Sequence, residues 1–72
     1  MKENKLKLFA GLLGRASDGE LVEEHKVEFV VASNEDEAKK KLKNKWRSGR
    51  VHIDGIKELK EVDGHKIVIE NK

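Results

Sequence analysis

The segment from Ser33 to Arg47 constrains this chain more than any other, because it carries every signal of one helix and only a narrow apolar stripe. Ser33 or Asn34 can cap it, and Ser33 with Asp36 and Asn34 with Glu37 each have capping-box spacing. Glu35, Asp36 and Glu37 fall in the first turn, where the helix dipole favours anions, and basic residues fill the rest. Glu35–Lys39, Asp36–Lys40 and Glu37–Lys41 are acid-to-base pairs four apart, each contributing about 0.2–0.5 kcal/mol. Gly49 is expected to end the helix. The stripe of Ala38, Leu42 and Trp46 cannot make a core alone, so the helix needs a sheet to lie on.

Strand signals flank it on both sides. Around Lys5 to Leu13, Leu6, Leu8, Ala10 and Leu12 share one face, while Phe9, Gly11 and Leu13 take the other. Around Leu21 to Ala32, His25, Val27, Phe29 and Val31 share a face, with Val30 and Ala32 opposite. The short turn-rich link through Ser17, Asp18 and Gly19 makes these two an antiparallel hairpin. Gly11 and Gly14 read as a bulge and a turn at the end of the first strand; a phosphate loop would need a helix to follow directly. A third strand starts near Val51, is interrupted by a bulge or bend at Gly55, and resumes from Ile56 to Glu61. Asp63-Gly64 is a hairpin signal leading to a fourth strand, His65 to Glu70. A two-residue turn there sets Glu61 opposite Lys66; a left-handed bulge sets Leu59 opposite Ile67.

The expected fold is therefore α+β, in the order β-β-α-β-β: a four-stranded antiparallel sheet with one helix packed on one face. The helix is expected to leave Phe9, Leu13 and Val30 on the uncovered face. At 72 residues the chain holds one domain, residues 1–72, with a core that seldom yields more than about 3–5 kcal/mol. With no Cys, neither a disulfide nor a thiolate metal site can add to that. No apolar run approaches the roughly 18–20 residues of a spanning helix, and the basic start lacks the apolar length and cleavage site of a signal peptide, so the expected compartment is the cytoplasm. Apolar groups on both sheet faces of so small a domain predict a partner, most simply a second copy.

Two constellations can carry chemistry. Seven basic and no acidic residues lie between Lys39 and Arg50. On the helix, Lys39, Lys40, Lys43 and Arg47 share the side away from Ala38 and Leu42, a face that can engage phosphates with salt-sensitive affinity. Trp46 can offer a stacking surface, although it lies on the side of Leu42 and fits the core better. The same lysine run also reads as a solvated face balanced by the acidic first turn. The second constellation is histidine. His52 and Asp54 are two apart on one strand face, and His25 stands beside Val27. Two imidazoles and a carboxylate can bind a divalent metal or move a proton, although His-x-Asp is a common pattern and a plain hydrogen bond beside Gly55 also accounts for it. His65 follows the hairpin turn. No His-Glu-x-x-His motif and no glycine-rich phosphate loop is present.

Leu8-Phe9-Ala10-Gly11-Leu12-Leu13-Gly14, His25-x-Val27-x-Phe29, Trp46, His52-Ile53-Asp54 and Val62-Asp63-Gly64 together resemble a family of small uncharacterised bacterial proteins, a domain of unknown function. The likeness spans about Leu6 to Ile69. Lys26 stands where that family carries an acidic residue. The resemblance implies no activity, but it marks His25, His52 and Asp54 as the positions to test first.

The leading functional expectation is a non-enzymatic, homodimerising association module that needs no cofactor. A nucleic-acid-binding module using Lys39, Lys40, Lys43 and Arg47 is the second, and a metal or acid–base site at His25, His52 and Asp54 the third.

Overall fold

The computed structural model describes residues 5–16, 23–46 and 50–70. The elements run β1 (Lys7–Ala16), β2 (Glu23–Ala32), α1 (Glu35–Lys45), β3 (Arg50–Glu58), β4 (Glu61–Val62) and β5 (His65–Lys66). β1 is central: the sheet order is β2-β1-β3, and both pairings are antiparallel. The first hairpin is as expected, with Phe9 opposite Val30 and Gly14 opposite His25.

Asn34 is the helix cap. Its side chain accepts from the Glu37 backbone N–H at 2.8 Å. Glu37 reaches back, but to the Ser33 N–H at 2.8 Å, so the reciprocal pair is shifted one residue outward. That N–H, and then the nearby charges of Lys41 and Lys40, hold the Glu37 carboxyl below the usual glutamate range. The helix ends with Trp46 as its C-cap, in an extended conformation. Gly49, expected to end it, lies outside the described residues.

The expected four-stranded sheet is not what forms. Three strands make the sheet, and β4 with β5 make a separate two-stranded hairpin. The backbone pairing of β3 continues one residue past Glu58, where the Leu59 N–H donates to the Leu8 carbonyl at 2.8 Å. Then Asp63 (φ 54°) and Gly64 (φ 79°) both take left-handed conformations, the type I′ turn that folds two strands tightly on each other. Glu61 faces Lys66, the two-residue register. Ile67 N–H donates to the Lys60 carbonyl at 2.9 Å, and residues 67–70 join no strand. Turn chemistry thus pairs the hairpin with itself.

The helix covers the opposite sheet face from the one expected. Phe9, Leu13, Val30 and Ala32 lie beneath Ala38 and Leu42, and these six are the buried core among the described residues. Trp46, Val51, Ile53 and Ile56 pack around them. Gly11 accounts for the choice. A Cβ there would come within 2.5 Å of Leu42 Cδ1, so only a glycine lets this side chain settle against the strand backbone. The uncovered face carries Leu12, Val27 and Phe29, at 39%, 57% and 52% exposure.

Candidate functional site

Pairing register builds the site before any side chain is considered. Gly14 stands opposite His25 on one side and His52 on the other, so one row across three strands reads His25, Gly14, His52. Directly opposed residues share a face, here the uncovered one. β3 then bulges: Leu13 faces Ile53 and Leu12 faces Gly55, which leaves Asp54 without an opposite residue. The extra residue re-aims Asp54 over the row.

β2 and β3 are not neighbours. The central strand separates them by about 10 Å, two strand spacings. Their side chains nevertheless meet above it. His25 Nε2 lies 3.0 Å from Asp54 Oδ2, and His52 Nε2 lies 3.0 Å from Asp54 Oδ1. The carboxylate is acceptor-only when ionised, so each ring donates where its Nε2 carries the hydrogen. Gly14 makes the meeting possible. A Cβ at that position would sit 2.7 Å from both Asp54 Oδ2 and His52 Nε2. Gly14 is therefore strand interior rather than the expected turn, since β1 runs on to Ala16, and the bulge lies in β3 rather than at Gly11. The three side chains are a third to a half exposed and open to solvent. As they stand, closed on one another by hydrogen bonds, they leave no ready ion position, and among the described residues no group of three His, Asp or Glu does.

Beyond the cluster the same face is apolar. Leu12 pairs with Val27, Ala10 with Phe29 and Leu8 with Val31. The band runs on to a shallow depression beside β2, where Leu8, Phe29 and Val31 meet Lys41 and Lys45 of the helix. Lys41 Nζ donates to the Val31 carbonyl at 2.6 Å, which occupies one acceptor on the sheet's edge strand.

The candidate phosphate-binding residues are on the helix. Lys39, Lys40 and Lys43 are exposed, and Lys39 lies 3.9 Å from Glu35. Arg47 lies outside the described residues. Trp46 is taken up by the core and by two cations, Arg15 at 4.8 Å and Lys26 at 5.2 Å from its ring centre. Arg15 also pairs with Glu24. His65 is set apart in the β4–β5 hairpin, opposite Val62.

Sequence reasoning thus named all three members of the cluster. It missed Gly14 as its floor, and it placed Leu12, Val27 and Phe29 beneath the helix. Gly11 on the Phe9–Leu13 face was the available signal for the true orientation.

Among the described residues no helix is long and apolar enough to cross a membrane. No curated protein and no solved structure matches the chain. A family model does match, over residues 20–69; it takes in His25, His52 and Asp54 and leaves Leu8 to Gly14 outside. That match covers more than two thirds of the 72 residues, and the chain belongs to the family described as Domain of Unknown Function (DUF1543).

Proposed function

We propose that the domain is a non-enzymatic association module whose uncovered sheet face docks against the same face of a second copy. The observation that carries this reading is the band of Leu12, Val27 and Phe29, large apolar side chains left exposed on the face opposite the helix. The small core supports it, six buried side chains among the described residues, because so small a core leaves little stability for an isolated domain. Paired rows of apolar side chains suit a two-fold interface, in which one patch serves both partners.

Size sets the expected strength. The face is about 15 Å across the strands and about 20 Å along them, roughly 300 Å² in projection, comparable with the largest apolar patch of an ordinary monomer. A standard interface takes about 800 Å² from each partner. The dimer is therefore expected to be reversible, with a micromolar Kd.

Sedimentation velocity over a concentration series tests this. The expected result is a shift from the 8.2 kDa monomer to twice that mass as concentration rises. Phe29→Glu, at an exposed site, should keep the circular dichroism of the fold and hold the chain as a monomer. A wild-type chain that stays monomeric into the high micromolar range overturns the reading, as does a Phe29→Glu chain that dimerises like wild type.

A further inference from the structure

β2 is an edge strand, with β1 on one side and no strand on the other among the described residues. We infer that this edge binds an extended peptide of alternating acidic and apolar residues from a partner protein, which joins the sheet as a further strand beside β2. The inference rests on the backbone of the edge and on the helix beside it, and it holds whether or not the uncovered face dimerises.

The backbone supports this first. β2 runs ten residues in unbroken register with β1, whereas β3, at the other edge, is bulged. The Val31 carbonyl is turned away from β1 and accepts from Lys41 Nζ at 2.6 Å. In an antiparallel ladder alternate residues turn both backbone groups the same way. Phe29, Val27 and His25 therefore present their N–H and C=O groups to the open side as well. An incoming strand pairs with such a row, and its side chains supply the specificity. Lys41 holds the carbonyl at the Val31 end and so marks where that pairing stops.

The groove supports it second. A depression of about 570 Å³ follows this edge, lined mainly by Phe29, Val30 and Val31 of β2 and by Lys41, Asn44 and Lys45 of α1. The three helix residues are spaced i, i+3 and i+4, on one helix face. Side chains of an added strand alternate between the two sides of the sheet. One set stands on the helix side, near Lys41 and Lys45. The other stands on the uncovered side, beside Val27 and Phe29. Carboxylates suit the first row and apolar groups the second.

Charge decides between a partner and a second copy. The acids on the helix side of β2 are already engaged, Glu24 by Arg15 and Glu28 by Lys26. Lys41 acts on Glu37, whereas Lys45 enters no ion pair among the described residues. Two copies joined through β2 by a two-fold axis would place both helices on one side of the seam. Lys41 and Lys45 of each would then meet like charges, whereas an acidic partner neutralises them.

The test follows the fluorescence anisotropy of a labelled peptide of four valine–glutamate repeats as the full chain is added. Saturable binding is expected, weakening as salt rises to about 0.3 M, and the matching valine–lysine peptide should not bind. Lys45→Glu, at an exposed site, should keep the circular dichroism of the fold and weaken binding about threefold or more. Only one of the two sets of peptide N–H groups can face β2. N-methylating either the valines or the glutamates should therefore abolish binding, and N-methylating the other set should be tolerated. Absence of saturable binding overturns the proposal, as does equal binding of the valine–lysine peptide or tolerance of both N-methylated sets. A peptide copying residues 24–30 of this chain that binds more tightly than the valine–glutamate probe would make a second copy the occupant, and overturns it too.

Discussion

Gly11→Ala is the sharpest probe of how this small core is built. The added Cβ would lie 2.5 Å from Leu42 Cδ1, 3.0 Å from Cδ2 and 3.2 Å from Cγ. All three are side-chain atoms, and the end of a flexible side chain can usually swing away. Leu42 cannot, because it is fully buried among Phe9, Leu13 and Ala38. The strain then goes into the helix position or an unfavourable rotamer, and overpacking of that kind costs about 1–3 kcal/mol. Against it stands the entropic gain of replacing a strand glycine, about 0.4–1 kcal/mol. The net loss is about 1–2 kcal/mol. A chain this size has only about 3–5 kcal/mol to lose, and each kcal/mol moves its Tm by about 4–8 °C.

Urea unfolding followed through Trp46, which packs on the same core, reads the effect directly. The companion variant is Leu42→Ala, which alone costs about 2–5 kcal/mol. In the Gly11→Ala/Leu42→Ala chain the clash has no partner, so the double variant should be clearly more stable than the sum of the singles implies. A Gly11→Ala chain as stable as wild type refutes the reasoning, because the helix could then shift without cost. Additivity within about 0.5 kcal/mol refutes it too, because Leu42 would not be what the new methyl meets.

Three other outcomes follow from the structure. Asn34→Ala removes the acceptor that caps the Glu37 N–H and should cost about 1 kcal/mol in urea unfolding, with most of it recovered in Asn34→Asp. Glu37 titrates below its ordinary value in the folded chain, so the unfolded chain binds its proton first: the contribution is full above the unfolded value and lost as pH falls through the folded one. Urea midpoints between about pH 6 and pH 3 should therefore fall less steeply in Glu37→Gln than in wild type. Lys41→Met frees the Val31 carbonyl on the edge strand and should raise light scattering at high concentration, whereas Lys45→Met, which removes the same charge one turn further along the helix, should not.

The helix was legible in the sequence because its signals are local: a cap, an acidic first turn and a stripe at helical spacing. The first hairpin was legible for the same reason. What escaped was non-local. Leu8, Leu12, Val27 and Phe29 make as good an apolar face as Phe9, Leu13, Val30 and Ala32, so period-two patterning cannot say which one the helix takes. The choice rests on contact between Gly11 and Leu42, 31 residues apart in the sequence. The fourth strand failed because its own turn is so favourable. Asp63-Gly64 closes Glu61 and Val62 on His65 and Lys66, and pairing beyond Ile67 was never specified by apolar alternation, since Ile67, Val68 and Ile69 run consecutively. His25, His52 and Asp54 were nameable by residue type, but their meeting depends on the register of two ladders and on a one-residue bulge.

The two glycines of β1 bring these points together. They are three residues apart, so strand alternation sends them to opposite faces of the central strand. Gly11 opens the lower face to Leu42 and so positions the helix; Gly14 opens the upper face to Asp54 and His52 and so floors the cluster. Neither has a positive φ, and neither marks a turn. Both are glycine because something must approach the backbone closely. The consequence is separable by mutation. Gly11→Ala should lower stability while the NMR ring signals of His25 and His52 stay as in wild type. Gly14→Ala should shift the NMR ring signals of His25 and His52 while the urea midpoint moves little, because the side chains it displaces are partly exposed and lie outside the core. Lowered stability together with shifted ring signals in both variants would mean that β1 transmits strain between its faces and that the division of labour is wrong.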